Sequence, residues 1–247
     1  MKNRFFLIPS ALGLGFLILF GIFTSERQDL VLDGKGTTVF FDFNDDAVNS
    51  ETTICGNMCN GIEKNTSFVH GITGSAVKFE AQNESWLTVP DHPSLSFGEE
   101  GGATIAFSVK VDTHSYKHNM IYNKGDVGWG YFYNPSYDGL YEGEFLEFQA
   151  IWTGVDVQEY VNVHCNDGKE IELNKWYFVA HVLESDHKTL KQYINGIEMC
   201  SATSKKPLNT DSLDDLNLGH VEGTYNDFSQ LALDNFIIFN YSLTADE

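Results

Sequence analysis

Aromatic side chains are concentrated in one stretch of the chain, between residues 120 and 152, where Asn, Asp and Glu residues separate them. Aromatic faces stack on sugar rings, and neighbouring polar side chains bond sugar hydroxyls, so this composition predicts a saccharide-binding groove. The alternative is core packing, because successive side chains of a strand point to opposite faces of a sheet. The residues that we expect to line the groove are Trp129, Tyr131, Tyr133 and Trp152.

The elements that must position this stretch are antiparallel β-strands. Residues 176–183 are mostly large apolar or β-branched residues, and residues 189–194 alternate between apolar and polar types. Asn195-Gly196 follows, and this pair is the strongest short signal for a hairpin because a type I′ turn needs positive φ at both central positions. This part of the chain is therefore predicted to be an antiparallel meander, for which the remaining strands supply partners.

Composition limits the classes of function. The 247 residues are 42% apolar, which is enough for the core of one large β-sandwich. The formal net charge is −20, from 35 acidic and 15 basic residues. Nucleic-acid binding needs a basic face, so this charge excludes nucleic acid as a partner and argues against adsorption to anionic lipid.

The N-terminus differs from the rest of the chain. Lys2 and Arg4 precede an apolar run at residues 5–23, which is long enough to cross a bilayer core of about 30 Å. No small-x-small cleavage site follows, so residues 1–25 fit both a signal peptide and an uncleaved membrane anchor. Lys2 and Arg4 keep the N-terminus inside in either case. We expect a tether at 26–37 and a folded domain at 38–247 that is extracellular or on the cell surface.

Export would place the four cysteines in an oxidising compartment. We expect the disulfides Cys55–Cys59 and Cys165–Cys200, although four cysteines allow three pairings.

Five motifs, in their order along the chain, resemble those of the laminin-G-like, concanavalin-A-like lectin and glucanase superfamily. The resemblance covers approximately residues 38–246 and implies an all-β fold, namely an antiparallel two-sheet β-sandwich of the concanavalin-like jelly-roll type. The motifs are a Gly-rich entry into a strand at 71–79, a Pro-Asp step at 86–95, a strand at 103–110, the hairpin at 176–196 and a closing strand at 233–243.

The resemblance also implies a structural calcium ion. In many of these jelly rolls Ca²⁺ joins the first and last strands, held by acidic side chains and loop carbonyls, as suits a hard cation. The matching positions are Asp42 or Asp45, a carbonyl within 71–74, and Asp234. The alternative is that Asp234 caps a strand end and Asp42 is solvated.

A glycoside hydrolase is an alternative function. Glu142-Gly-Glu144-Phe-Leu-Glu147 resembles the E-x-D-x-x-E strand of jelly-roll endo-β-glucanases, in which the first Glu is the nucleophile and the last is the acid/base. Retaining hydrolysis requires two carboxyl groups about 5–5.5 Å apart. The chain departs from this pattern at its centre, where Glu144 replaces Asp.

The favoured interpretation is a non-catalytic binding or adhesion module that recognises carbohydrate or a cell-surface protein. One alternative is the hydrolase that uses Glu142 and Glu147. The other is a structural envelope protein whose groove is filled by its own side chains. Specificity resides in loops that the fold does not determine, so the ligand cannot be named from the sequence.

Overall fold

The computed structural model describes residues 36–50, 54–96, 101–113, 118–125, 127–133, 147–154, 160–164, 171–221 and 228–247. For residues 118, 129, 131–133, 147–149 and 164 it describes the backbone alone. Within these ranges, two antiparallel β-sheets stack face to face, so the predicted all-β sandwich is confirmed. Short 3-10 helices lie at Gly56–Cys59, Ala81–Asn83 and Pro93–Leu95.

Strands are numbered in chain order. Sheet A contains β1 (Thr37–Phe41), β3 (Ser67–His70), β4 (Ser75–Phe79), β6 (Ala103–Val111), β11 (Trp176–Leu183), β12 (Thr189–Ile194), β13 (Ile197–Thr203) and β15 (Leu231–Phe239). Sheet B contains β2 (Ile62–Lys64), β5 (Trp86–Val89), β7 (His118–Lys124), β8 (Gly128–Tyr133), β9 (Glu147–Thr153), β10 (Tyr160–His164) and β14 (Leu216–Leu218).

The order of strands in sheet A is β13-β12-β11-β6-β15-β4-β3, with β1 also paired to β15. The order in sheet B is β10-β9-β8-β7-β14-β5-β2. The hairpin between β12 and β13 turns at Asn195 and Gly196, whose φ angles are 51° and 77°. Both values are positive, as the turn predicted from this dipeptide requires.

Strand β15 holds sheet A together. It pairs with β6 along its length on one side, and on the other side it pairs with β4 through residues 231–233 and with β1 through residues 236–239. The register shifts between Asp234 and Ile237, and Asn235 adopts a φ of 53°. This bulge therefore marks the place where β15 changes partners, and it brings the end of β1 close to the start of β4.

The inner faces of the two sheets form the main core, which includes Phe41, Phe107, Tyr122, Trp152 and Phe236. A second, smaller apolar cluster includes Ala106, Ala180, Val182, Tyr193 and Ile237. The cross-strand register of these residues places them on the outer face of sheet A. Strands of sheet A are thus buried on both faces over part of their length, which explains their nearly continuous apolar sequences.

The Cys55–Cys59 disulfide is confirmed, with the two Cα atoms 5.7 Å apart. Cys200 is also disulfide-bonded. Cys165 lies outside the described residues, so the pairing Cys165–Cys200 stays a prediction.

Residues 1–35 lie outside the described part of the chain, so the signal peptide or anchor and most of the tether stay predictions as well. Within the part that the structure describes, none of the helices has the length and apolar character needed to span a bilayer.

Candidate functional site

The outer face of sheet B presents an aromatic and polar surface. In β5 the side chains alternate: Leu87 and Val89 are buried in the core, whereas Trp86 and Thr88 are half-buried on the outer face. The register aligns Thr88 with Asn217 of β14. These outward residues therefore lie side by side on neighbouring strands.

A short chain of hydrogen bonds orients the indole ring of Trp86. Its Nε1 donates to Thr88 Oγ1 at 3.2 Å, and this hydroxyl donates to Asn217 Oδ1 at 2.7 Å. Asn217 is in turn aligned with Asn123 of β7. The indole ring is thus fixed relative to a row of hydroxyl and amide groups, which are the groups that bond sugar hydroxyls.

Two further rings and a cation surround Trp86. The ring centroids of His220 and Phe228 lie 5.1 and 5.6 Å from that of Trp86, and these two rings stack on each other at 4.3 Å. Lys64 Nζ lies 3.7 Å from the Trp86 ring centroid. Lys64 is exposed, so displacing it costs a cation–π contact of only about 0.5–1 kcal/mol. We call Lys64, Trp86, Thr88, Asn217 and Phe228 the Trp86 platform.

The opposite end of the same outer face is also polar. Ile151 of β9 aligns with Asn162 of β10, and Thr153 aligns with Tyr160, whose exposed fraction is 67%. The buried Oδ1 of Asn162 has no hydrogen-bond partner in the described part of the chain. The outer face of sheet B thus carries polar side chains towards both of its edges, on β5 and β14 and again on β9 and β10.

One of the predicted groove residues is misplaced. Trp152 is completely buried and packs in the main core, so it cannot line a groove on the outer face. Alternation in β9 directs Trp152 inward together with Ala150, and Gly128 lies directly opposite it. A Cβ at position 128 would lie 2.4 Å from Trp152 Cδ1, so the glycine makes room for the indole ring.

The other three predicted groove residues belong to β8, whose backbone lies between β7 and β9 in the middle of sheet B. The backbone register aligns Trp129 with Asn123 of β7 on one side and with Ile151 of β9 on the other. The side chains of Trp129, Tyr131 and Tyr133 lie outside the described part of the structure, so their role stays a prediction.

The alternative catalytic pair lies largely outside the described part of the chain. Glu142 is outside the described residues, and Glu147, at the start of β9, is described by its backbone alone. The hydrolase that uses this pair stays a prediction.

The junction of β1, β4 and β15 contains the residues predicted to bind calcium. Asp234 is completely buried, and its Oδ2 accepts hydrogen bonds from the backbone N–H groups of Ile72 at 2.7 Å and Thr73 at 3.3 Å. Its Oδ1 has no hydrogen-bond partner among the described residues. The pKa of Asp234 is raised to about 6, chiefly by burial and in smaller part by the charge of Asp42, although hydrogen bonds from backbone N–H groups oppose this shift.

Oxygen atoms from the β1–β2 connection approach this junction. Gly74, with a φ of +62°, admits the side chain of Asn44, because a Cβ at position 74 would lie 2.0 Å from Asn44 Oδ1. Ser75 Oγ donates a hydrogen bond to Asp45 Oδ1 at 2.6 Å. Carboxylate and amide oxygens of this kind are the hard ligands that Ca²⁺ prefers.

The carboxylate oxygens of Asp42, Asp45 and Asp234 do not all lie within 4.8 Å of one another. Among the described residues, the one group of His, Cys, Asp or Glu ligand atoms that meets this distance is Cys55, Cys59 and His92. Its two sulfur atoms form the disulfide, so they are not available as thiolate ligands.

A buried lysine secures the loops beside sheet B. Lys124, at the end of β7, is completely buried, and its Nζ donates to Asp91 Oδ1 at 2.6 Å, to the carbonyl of Ser212 at 3.0 Å and to the carbonyl of Asp214. Its three ammonium hydrogens are therefore satisfied, and the ion pair compensates its charge.

A buried histidine bridges the two sheets. His181 Nε2 donates to Gln192 Oε1 at 3.1 Å, so its Nδ1 accepts the hydroxyl hydrogen of Tyr122 at 2.8 Å. Burial lowers the pKa of His181 to about 4, a shift that the hydrogen bond to Gln192 partly opposes. The imidazole is therefore neutral over the physiological pH range, and its role is structural.

Comparison with solved structures identifies related binding domains. The binding domain of Paraclostridial Mosquitocidal Protein 1 matches 85% of this chain and 50% of its own, with 17% identity and a TM-score of 0.62. Domain 4 of AbnA, a GH43 extracellular arabinanase from Geobacillus stearothermophilus in complex with arabinotriose, matches 85% of this chain and 95% of its own, with 18% identity and a TM-score of 0.60.

The botulinum neurotoxin serotype D ligand binding domain in complex with N-acetylneuraminic acid matches 86% of this chain and 49% of its own, with 16% identity and a TM-score of 0.61. The chain thus spans about half the length of the two toxin domains. At these identities the similarity establishes the fold alone. No curated protein matches the sequence.

A family model matches residues 81–247, which include strands β5 to β15. Asp234 falls within the match, whereas Asp42 and Asp45 precede it. The chain belongs to the concanavalin A-like lectin/glucanases superfamily.

Proposed function

We propose that this chain is an extracytoplasmic binding module that recognises glycans on the outer face of sheet B, with the Trp86 platform at its centre. Residues 5–23 would direct the domain out of the cytoplasm, as a signal peptide or as an anchor. The single observation that carries the proposal is the indole ring of Trp86, oriented by Thr88 beside the amide of Asn217.

The chemistry of this surface supports a saccharide in preference to an apolar ligand. A sugar ring has an apolar face that stacks on an aromatic ring and a rim of hydroxyl groups that need hydrogen-bond partners. The platform offers both within a few ångströms, since Thr88 and Asn217 lie beside Trp86 on adjacent strands. Two solved relatives, the arabinanase domain and the serotype D toxin domain, contain bound saccharides.

Replacement of Trp86 by alanine is expected to lower glycan affinity by roughly 30-fold, because a tryptophan at the centre of an interface contributes about 2 kcal/mol or more. A glycan array identifies a bound saccharide, and isothermal titration of the full chain in detergent measures the affinity of wild type and variant. Ile197→Ala is the matched control, because Ile197 is an exposed apolar residue on sheet A.

Two results would contradict this proposal. One is unchanged affinity in a folded Trp86→Ala variant, which would move the binding surface elsewhere. The other is the absence of binding to any saccharide, which would favour a surface-protein ligand or a structural envelope role.

We also propose that a structural Ca²⁺ binds at the junction of β1, β4 and β15. Asp234 and Asp42 would supply carboxylate oxygens, and Asn44 and a carbonyl within 71–74 would complete the site. The ion would neutralise a buried carboxylate and link the first strand to the last. The orphaned Oδ1 of Asp234 supports this proposal, because a buried acceptor without a donor is costly unless a cation occupies the site.

Calcium is therefore expected to raise the melting temperature by about 5–10 °C at a free concentration 100-fold above its Kd. Differential scanning calorimetry with calcium and with EGTA measures this shift. The Asp234→Asn variant should show no shift, whereas Asp246→Asn, in the exposed C-terminal segment, should respond as wild type does. An identical melting temperature of wild type in calcium and in EGTA would exclude the site.

A further inference from the structure

A row of residues crosses the outer face of sheet A, on the opposite side of the molecule from the Trp86 platform. The register aligns Lys78 of β4 with Ala232 of β15, Ala232 with Lys110 of β6, and Lys110 with Trp176 of β11. Neighbouring strands lie about 4.8 Å apart, so the two lysines flank a single alanine and the tryptophan stands beside the second lysine.

The two lysines differ in how their charge is compensated. Lys78 forms an ion pair with Asp112, whose carboxylate also accepts a hydrogen bond from Gln230 Nε2 at 3.5 Å. Lys110 forms no ion pair in the described part of the chain, and its Nζ lies 5.0 Å from the ring centroid of Trp176. Burial lowers the pKa of Lys78, and the charge of Lys110 lowers it further, because the two ammonium groups repel each other electrostatically.

This arrangement is unexpected in so acidic a protein. The chain has 35 acidic residues and 15 basic ones, so a carboxylate partner for most surface lysines would arise readily. Of the two lysines that flank Ala232, Lys78 has a carboxylate partner in Asp112, whereas Lys110 has none among the described residues. An oxyanion bound to Lys110 would compensate this remaining charge and gain charge-assisted hydrogen bonds.

We propose that Lys78, Lys110 and Trp176 form a second binding site, for a sugar unit that carries a carboxylate or a sulfate group. Lys110 binds the oxyanion together with Lys78, and the half-buried indole ring of Trp176 packs against the sugar ring. Ala232, which is completely buried, separates the two lysines. This inference rests on the proposed glycan-binding role but involves a different sheet and different residues, so the two can fail separately.

The test uses the full chain in detergent on a glycan array that contains matched pairs of glycans, one neutral and one sulfated or carboxylated on the same backbone. Wild type is expected to bind the anionic member of a pair about tenfold more tightly, since a hydrogen bond to a charged group contributes at least this factor. The preference should decrease as salt is raised, because salt screens exposed charges.

Lys110→Gln should abolish the preference and leave binding to the neutral member unchanged. Lys205→Gln is the matched control, because it changes the net charge equally at an exposed lysine far along the sequence. The proposal is overturned if wild type binds both members of every pair equally, or if Lys110→Gln retains the preference.

Trp86→Ala separates the two sites. If Trp86→Ala loses neutral glycan binding and wild type shows no anionic preference, the Trp86 platform is retained and the second site is overturned. An anionic preference that depends on Lys110 and persists in Trp86→Ala would support the second site, and neutral binding that Trp86→Ala leaves unchanged would overturn the platform.

Discussion

Asp91→Asn is expected to lower the free energy of unfolding by about 3 kcal/mol, because the completely buried ammonium group of Lys124 loses its carboxylate partner, which is itself only partly buried. Lys124 is completely buried, and Asp91 is its one carboxylate partner in the described part of the chain. Its other acceptors are two backbone carbonyls, which do not neutralise its charge. Urea denaturation of wild type and variant at pH 7 measures the difference.

A double variant makes this test specific. Lys124→Met combined with Asp91→Asn should be more stable than Asp91→Asn alone, because the double variant no longer buries an unpaired ammonium group. Glu172→Gln, which breaks the exposed Lys175–Glu172 pair, should have no measurable effect. If Asp91→Asn unfolds at the same urea concentration as wild type, the charge of Lys124 is compensated in another way.

His181 is expected to make the protein less stable in acid by about 3 kcal/mol between pH 6.5 and pH 4. Its pKa is about 4 in the folded state and 6.5 in the unfolded state, so the unfolded state binds the proton first as the pH falls. The stabilisation from neutral His181 is complete above pH 6.5 and is lost progressively below that value. The hydrogen bonds to Tyr122 and Gln192 must also rearrange when the ring becomes charged.

The measurement must separate His181 from Asp234. The pKa of Asp234 is raised to about 6, so this residue stabilises the folded state as the pH falls over the same range, in the opposite sense. The difference in unfolding free energy between wild type and His181→Gln removes this contribution, since both proteins retain Asp234. That difference should change with pH between 6.5 and 4. A pH-independent difference for His181→Gln would show that its pKa is not depressed.

Local sequence patterns predicted individual strands and turns, whereas the two-sheet sandwich followed from the resemblance of five motifs to a known superfamily. Alternation in β12, the Asn195-Gly196 turn and the apolar sequence of β15 each correspond to the structure that their pattern predicts. These signals depend on backbone geometry and on neighbours in sequence. They are therefore largely independent of how the two sheets meet.

The binding face was harder to predict, because alternation defines two faces of a strand and does not say which one is buried. Trp152 was predicted to line the groove, but it lies two residues from Ala150 in β9 and therefore points to the same, buried face. Trp86 received no role from the sequence, although it alternates with Leu87. Gly128, which is opposite Trp152, was the available signal, but its use requires knowledge of the register between β8 and β9.

Buried polar residues could not be predicted from sequence, because their partners are distant along the chain. Lys124 pairs with Asp91, 33 residues away, and His181 bonds Tyr122, 59 residues away in the other sheet. By residue type, a lysine is mostly exposed and a histidine is intermediate, so neither is expected to be completely buried. Only the assembled loops and sheets provide the acceptors that make burial of these residues tolerable.

The change of partners along β15 has a consequence for biosynthesis. Of the described strands, β15 is synthesised last, and it joins β6 to both β4 and β1, so sheet A stays divided until residues 231–239 have left the ribosome. Contacts between β15 and β1 span nearly the whole domain in sequence, which makes them slow to form. A nascent chain of this protein therefore cannot complete sheet A until β15 has been synthesised.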